Sequence, residues 1–344
     1  MSSPVQVPSF SVVPGLQVDE VCRGREKEIV DLVAATYRLH GAGDSVNPPS
    51  YFLRFPDRPN ARIIALPASL GGEVRTDGLK WISSFPDNIK AGIPRASAVL
   101  ILNDHDTGYP MACMESSIIS AVRTAASAAL AAAVLGRDRP RPVRVGFLGV
   151  GLIARYLHTY LAATGQDFER VGIYDLSAES AQGFRSYVEQ AAPHSEIVVH
   201  DDPGTLLRDS DLIVLATVAG SPHLSDPAAF AHHPLVLHVS LRDIDPAIIL
   251  ESVNVVDDVE HCLKADTSVH LAEQRTGNRD FITGTLDDVI SRGLELPGDQ
   301  TIIFSPFGLG VLDLAVARFV YDTLAEADRL ATVDNFFHEL RRFG

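Results

Sequence analysis

Apolar positions change their spacing twice along the 344 residues. From about Ser9 to Ala112 they alternate in short runs such as RIIALPAS and GLKWISS, with one segment, EKEIVDLVAATYRL, in which they recur at three- and four-residue steps. Period two predicts strands and the longer period a helix, an α+β pattern. At Glu115 the text turns into SSIISAVRTAASAALAAAVLG, an alanine-rich helix closed by Gly136 and followed by the proline-broken basic connector RDRPRP. Beyond it the buried runs VRVGFLG, VGIYD, EIVVH, DLIVLAT, PLVLHVS and VNVVDD alternate with segments long enough for βα units, which predicts a doubly wound parallel sheet. A last long helix, roughly Gly310 to Arg329, is long enough to return to the first domain. The expected fold class is therefore α/β with a second, discontinuous α+β domain. The expected boundaries are 1–136 plus about 325–344 for the α+β domain and 137–324 for the parallel-sheet domain.

One of these strands carries more than a fold. VRVGFLG runs straight into Gly149-Val150-Gly151-Leu152-Ile153-Ala154 and a helix, the GxGxxA form of the Rossmann dinucleotide fingerprint. Gly149 suits the tight turn, Gly151 lets a pyrophosphate approach the backbone, and Ala154 keeps helix and strand close. The helix start offers unpaired N–H groups and the positive end of its dipole. Any sharp strand-to-helix turn favours glycine, but VGIYD adds Asp175, 24 residues beyond Gly151, where a carboxylate would accept from the adenosine ribose. Leu176 and Ser177 follow, with no arginine to meet a 2′-phosphate, so NAD is expected rather than NADP. Thr217, Ser240 and Ser305, at the ends of three further strands, are placed with Leu152 and Ile153 among the cofactor-binding residues.

Composition narrows the partners. The 29 basic and 44 acidic residues give a formal charge of -15, which repels nucleic acid and anionic membrane surfaces. Three cysteines, Cys22, Cys113 and Cys262, are odd in number and show no metal spacing, so neither a disulfide framework nor a zinc site is expected. The twelve histidines offer no convincing ligand set either and read as surface or core residues. The opening MSSPVQVPSFSVVPG lacks a basic start and an apolar segment of signal length, and no run approaches the ~20 apolar residues of a membrane span. A cytoplasmic protein is expected.

Against that acidity, residues 51–95 hold seven basic and four acidic side chains. Arg58, Arg75, Lys90 and Arg95 read as a solvated face, whereas Arg54, Arg62, Lys80 and Arg123 are candidates for a pocket wall. Arg123 interrupts an apolar helix face and must be paired, either with a carboxylate on a bound molecule or in an interdomain ion pair. Lys80 alternates with Leu79 and Trp81 and could equally be exposed. In PLVLHVSLRDIDP, Asp243 falls just past the carboxyl end of a parallel strand, where open α/β sheets bind ligands. Asp245, before Pro246, is the better helix cap, which leaves Asp243 for chemistry.

Taken together, RIIALPAS, GLKW, ILNDHDTGYPMACMESSIISAVRTAASAALAA, GVGLIA, VSLRD and FSPFGLGVLDL resemble the ornithine cyclodeaminase/μ-crystallin family over nearly the whole chain. Within it the resemblance is closest to dehydrogenases of 2,3-diaminopropionate biosynthesis, which act on N-(2-amino-2-carboxyethyl)-L-glutamate in siderophore and peptide-antibiotic pathways. The resemblance implies Arg62, Lys80 and Arg123 as a carboxylate clamp, Asp243 as the acid/base residue, and a homodimer joined through the first domain's sheet. Lys80 and Asp243 are the expected catalytic residues, with Arg54 a further substrate contact. Cyclodeaminases carry a glutamate near the position of Ile64, where this chain is apolar, so cyclisation of a diamine is disfavoured. Other enzymes on the scaffold, such as a cyclodeaminase or a ketimine reductase, and a non-catalytic dinucleotide binder remain the alternatives.

Overall fold

A computed structural model describes residues 7 and 9–338. Residues 1–6 and 8 of the opening segment read for a targeting signal, and residues 339–344, counted above with the first domain, lie outside the described residues. The chain forms two compact units: one contains residues up to Arg25, Ala35–Arg123 and the chain from Leu309, the other Glu26–Ala34 and Thr124–Gly308. The units thus divide inside the alanine-rich helix Ser117–Leu135, whereas Gly136, expected as the boundary, follows that helix directly. The helix Gly310–Glu326, placed by sequence mostly with the parallel sheet, belongs to the first unit.

The first unit is built on an eight-stranded mixed sheet. Its order is Ala331–Thr332, Ser11–Val13, Pro110–Glu115, Ala96–Asp104, Thr76–Ser84, Arg58–Leu70 and Ser45–Val46, with Tyr51–Phe55 also paired to Arg58–Leu70. Period-two alternation decides the faces: Leu100, Leu102 and Lys80 are buried, while Trp81 and Val99, paired across neighbouring strands, are 40% and 42% exposed. The helix Gly310–Glu326 packs on the buried face, and Leu314 comes so close to Gly78 that a Cβ there would meet its Cδ2 at 2.7 Å. That close approach brings the turn before Leu314 down onto the strand carrying Lys80.

In the second unit all eight strands are parallel, in the order Glu196–Val199, Arg170–Tyr174, Arg144–Leu148, Leu212–Leu215, Leu235–His238, Ile302–Ser305, Val253–Val256 and Ile282–Thr285. The central strands are buried at every position, as sheets covered on both faces require. Chain direction through the sheet reverses between Arg144–Leu148 and Leu212–Leu215, which makes their carboxyl ends a topological switch point. Sequence periodicity missed the edge strand Ile282–Thr285, whose ITGT is too short and polar to stand out. The alanine-rich helix meets the length and composition of a membrane span after all, but 67% of that window is buried inside the protein, as in a core helix.

Candidate active site

The fingerprint turn follows Arg144–Leu148 at the switch point. Gly149 adopts φ +84°, and a Cβ there would meet the backbone of Ala216 and Thr217 at 2.7–2.8 Å, so only glycine lets the turn lie against the neighbouring strand end. Gly151 faces open space: an added Cβ meets nothing within 4 Å. Within the helix Leu152–Ala163, Ala154 is fully buried while Leu152 is half exposed and Ile153 partly buried. That helix has no side-chain cap, whereas the six that follow it in this unit are capped by Ser177, Asp202, Asp245, Asp258, Thr267 and Thr285. An uncapped helix start beside an open glycine is what a pyrophosphate needs, since its oxygens would take the place of the missing cap. Asp175 accepts from the Val150 N–H at 2.9 Å and the Ser177 N–H at 2.8 Å, which fixes its carboxylate beside the turn with lone pairs to spare. The residues present therefore fit a dinucleotide.

On the same strand edge, Asp243 is far from free. It is wholly buried, and its carboxylate accepts from the hydroxyls of Thr217 and Ser240. Nε2 of His223 lies 3.1 Å from one oxygen, and Nε2 of His238 lies 3.3 Å from the other. The same His238 nitrogen is 3.2 Å from the backbone nitrogen of Asp243, so it either accepts from that N–H or, when it carries the proton itself, donates to the carboxylate, but not both. The hydroxyl donors do not depend on this choice. Leu241 takes φ +71°, a left-handed conformation costing of order 1–3 kcal/mol for such a residue, and it folds Asp243 back over Ser240. Burial alone would raise this carboxyl, yet His238 and the hydroxyls of Ser240 and Thr217 outweigh it and hold the group well below the usual carboxylate range. An acid so strong is a weak proton acceptor at neutral pH, which argues against the general-base role expected for it.

Ser305 is buried beside this group, its Oγ 3.4 Å from Nδ1 of His238. The turn after it is pinned by Asp257, which accepts from the N–H groups of Phe307 and Gly308 at 2.9 and 2.6 Å. Burial pushes the Asp257 carboxyl up and the Cys262 thiol beside it well up, consistent with structural roles for both. Asp245 caps Pro246–Leu250 with Pro246 in the first turn, as its sequence context predicts. Among the described residues, no group of three or more His, Cys, Asp or Glu could hold a metal ion.

The first unit holds the cationic candidates. Lys80 is 2% exposed and donates to Asp313 Oδ2 at 2.6 Å; Arg123, 11% exposed, donates from Nε to the other oxygen at 3.2 Å. Asp313, fully buried, was not read from sequence, and it decides two open readings: Arg123 has a carboxylate partner within its own unit, and Lys80 is buried, not exposed. Burial pulls the Lys80 ammonium down, Asp313 pushes it back up and Arg123 pulls it down again, leaving it at about 8. Strand register sets Arg54 opposite Arg62, Arg62 opposite Ser84 and Leu66 opposite Lys80, so Arg54, Arg62 and Lys80 share one sheet face. Arg62 lies about 13 Å along the strand from the Lys80 pair, four residues at roughly 3.3 Å each, with Ile64 between them. Arg54 is exposed, its guanidinium over the Phe52 ring. Of the four cations expected in solvent, Arg58, Arg75 and Lys90 are at the surface, but Arg95 is partly buried and donates to Ser84 Oγ at 2.8 Å.

Asp313 and His223 are the residues that sequence reading passed over. Asp313 had a signal: a lone carboxylate in the apolar helix run GVLDLAV, the counterpart of the lone arginine in Ser117–Leu135. His223, in SPHL between two strands, had none.

Comparison with known proteins agrees with this architecture. The chain is 28% identical to the N-((2S)-2-amino-2-carboxyethyl)-L-glutamate dehydrogenase of Staphylococcus aureus over 90% of its length and 93% of that protein's. It is 29% identical to the alanine dehydrogenase of Archaeoglobus fulgidus over 86% of its length and 89% of that protein's. The structure of Thermococcus litoralis Δ1-pyrroline-2-carboxylate reductase, solved with NADH and L-proline, superposes with a TM-score of 0.86 at 21% identity, covering 94% of this chain and all of that one. Residues 16–328 match the family model directly, and the chain belongs to the ornithine cyclodeaminase/mu-crystallin family.

Proposed function

We propose that this protein is an NAD-dependent oxidoreductase that oxidises the C–N bond of N-(2-amino-2-carboxyethyl)-L-glutamate and releases L-2,3-diaminopropionate and 2-oxoglutarate. The observation that carries the reading is the buried cluster of the first unit: two cations, Lys80 and Arg123, around a single carboxylate, Asp313. A buried site with one positive charge in excess calls for an anion, and a substrate carboxylate held by an arginine fork is the fitting one. Arg62 and Arg54 extend the positive strip along the same face, which suits a substrate bearing three carboxylates. Ile64, at the place where cyclodeaminases bear a glutamate, leaves nothing to receive a second amine. The named activity of the Staphylococcus aureus relative supports the same substrate.

In this reading the first unit binds and orients the substrate, and the second holds the cofactor on Gly149, Gly151, the start of Leu152–Ala163 and Asp175, with Thr217, Ser240 and Ser305 lining the same edge. Bound there, the nicotinamide supplies a hydride acceptor. Asp243, held by its hydroxyl donors in the unit that would hold the cofactor, is suited to stabilising the positive charge of an iminium, which water then attacks. Lys80 and Arg123 keep the substrate's α-carbon in one orientation throughout, a positioning effect worth several kcal/mol in favourable cases. The exposed apolar face around Trp81 and Val99 fits a homodimer interface between first units, and sedimentation of Trp81→Glu as a monomer would bear that out.

Incubating the purified protein with NAD and the glutamyl adduct, while following absorbance of reduced nicotinamide, tests the reading. Stoichiometric release of NADH and 2-oxoglutarate is expected, with none from alanine or ornithine. Turnover of either amino acid, or cofactor binding with no turnover at all, would overturn it.

A further inference from the structure

We propose that His223 is the proton-transfer group of the reaction and that Asp243 orients it; this rests on the hydrolytic reading above. The ring of His223 is 40% exposed, yet its backbone is fixed. The N–H groups of His223 and Leu224 both donate to the Asp243 carbonyl at 2.9 Å, and Leu224 forms a bridge to Ile244 with its side chain buried. Chain and ring are therefore anchored to the same residue, the ring through Nε2 at 3.1 Å from the Asp243 carboxylate. A carboxylate held ionised takes its hydrogen bond from Nε2–H, which places the lone pair of the neutral ring on Nδ1, and Nδ1 has no hydrogen-bond partner among the described residues. An acid that pairs with one ring nitrogen while the other faces outward is an orienting pair of the kind that makes histidine a general base.

Its place in the fold connects it to the cofactor turn. A Cβ on Gly149 would lie 2.8 Å from Cα of Thr217, and the Thr217 hydroxyl donates to the same Asp243 oxygen that faces His223. Fingerprint turn, Thr217, Asp243 and His223 thus form a continuous run of contacts at the carboxyl edge of the parallel sheet. The other titratable group against this carboxylate within the unit is His238, which is wholly buried and therefore cannot exchange a proton with a substrate.

The chemistry balances with one histidine. As water adds to the iminium carbon, its C–O bond forms, the C=N electron pair returns to nitrogen and one water proton moves to Nδ1 of His223. The imidazolium then protonates the amine nitrogen, the C–N bond breaks as the ketone forms, and the hydroxyl proton leaves through the ring to solvent. One proton is released per turnover, as oxidation with water requires.

The test uses the full-length protein with whichever substrate the wild type turns over. His223→Gln is expected to lower kcat by ~100-fold or more, with KM and NADH binding, followed by fluorescence, within about twofold. In His223→Ala, imidazole in solution should restore at least ~10-fold of the lost rate, which a purely structural role would not allow. Ring ¹⁵N shifts, read without substrate, should report an Nε2–H tautomer that Asp243→Asn abolishes. A kcat within about threefold of wild type, loss without imidazole rescue, or an Nδ1–H ring in the wild type would each overturn the assignment. Turnover of a different substrate would sink the proposed activity but leave this test decisive.

Discussion

Two buried carboxylates, Asp313 in the first unit and Asp243 in the second, have the same exposure and opposite surroundings. Asp313 is flanked by two cations, so its cluster carries a positive excess; Asp243 is flanked by hydroxyls and imidazoles, with no lysine or arginine of the described residues among its hydrogen-bond partners. The first arrangement holds charge by charge and is suited to receive an anion. The second holds a carboxylate with hydroxyl donors and, in the proposed reading, faces a cation that appears during reaction. In the proposed reading a single residue type serves binding in one unit and chemistry in the other, according to its neighbours.

The comparison breaks most visibly at Asp243. Asp243→Asn removes the negative charge while keeping the shape, and steady-state kinetics should show kcat down by roughly 10²–10⁴-fold with cofactor affinity little changed. Equal loss in NADH binding would mean that Asp243 is a cofactor contact instead. At Asp313 the expected effect is on folding: Asp313→Ala leaves Lys80 and Arg123 buried without their carboxylate and should cost about 3–5 kcal/mol in urea unfolding, much of it recovered by adding Lys80→Met. A loss below about 1 kcal/mol would show that the cluster is wetter than its burial implies.

A smaller contrast is readable in pH. Lys80 sits at about 8, below its ordinary value, and the charged form is the one that binds a carboxylate. kcat/KM should therefore fall as pH rises above about 8, close to tenfold per unit, and this limb should vanish in Lys80→Arg. The stability effect has the opposite sign. Burial penalises the charged form, so the unfolded chain binds the extra proton, and Lys80's contribution to stability rises between about 8 and its ordinary value. Least affected should be Thr217→Val, which removes one of the hydroxyl donors to Asp243; about 1 kcal/mol, or a several-fold drop in kcat, is expected. An unchanged rate would place the work of ionising Asp243 on Ser240 and the histidines.

Local pattern determined much of this protein. The parallel sheet, the fingerprint turn with Asp175, the cap at Asp245 and the position of Asp243 past a strand end are all written in short stretches, because periodicity, glycine and capping act over a few residues. Local charge balance singled out the cationic candidates, and family resemblance added the clamp role of Arg62, Lys80 and Arg123 and the meaning of Ile64. What the sequence left open was pairing across distance. Lys80 and Asp313 are 233 residues apart, and His223 and Asp243 20 apart with a strand between them. Only the packing of Gly310–Glu326 against Gly78 turns an ambiguous lysine into a buried ion pair, and only the bridge at Leu224 brings an unmarked histidine to a buried carboxylate. Burial and charge balance belong to groups that meet in space, and a linear pattern does not encode which groups those are.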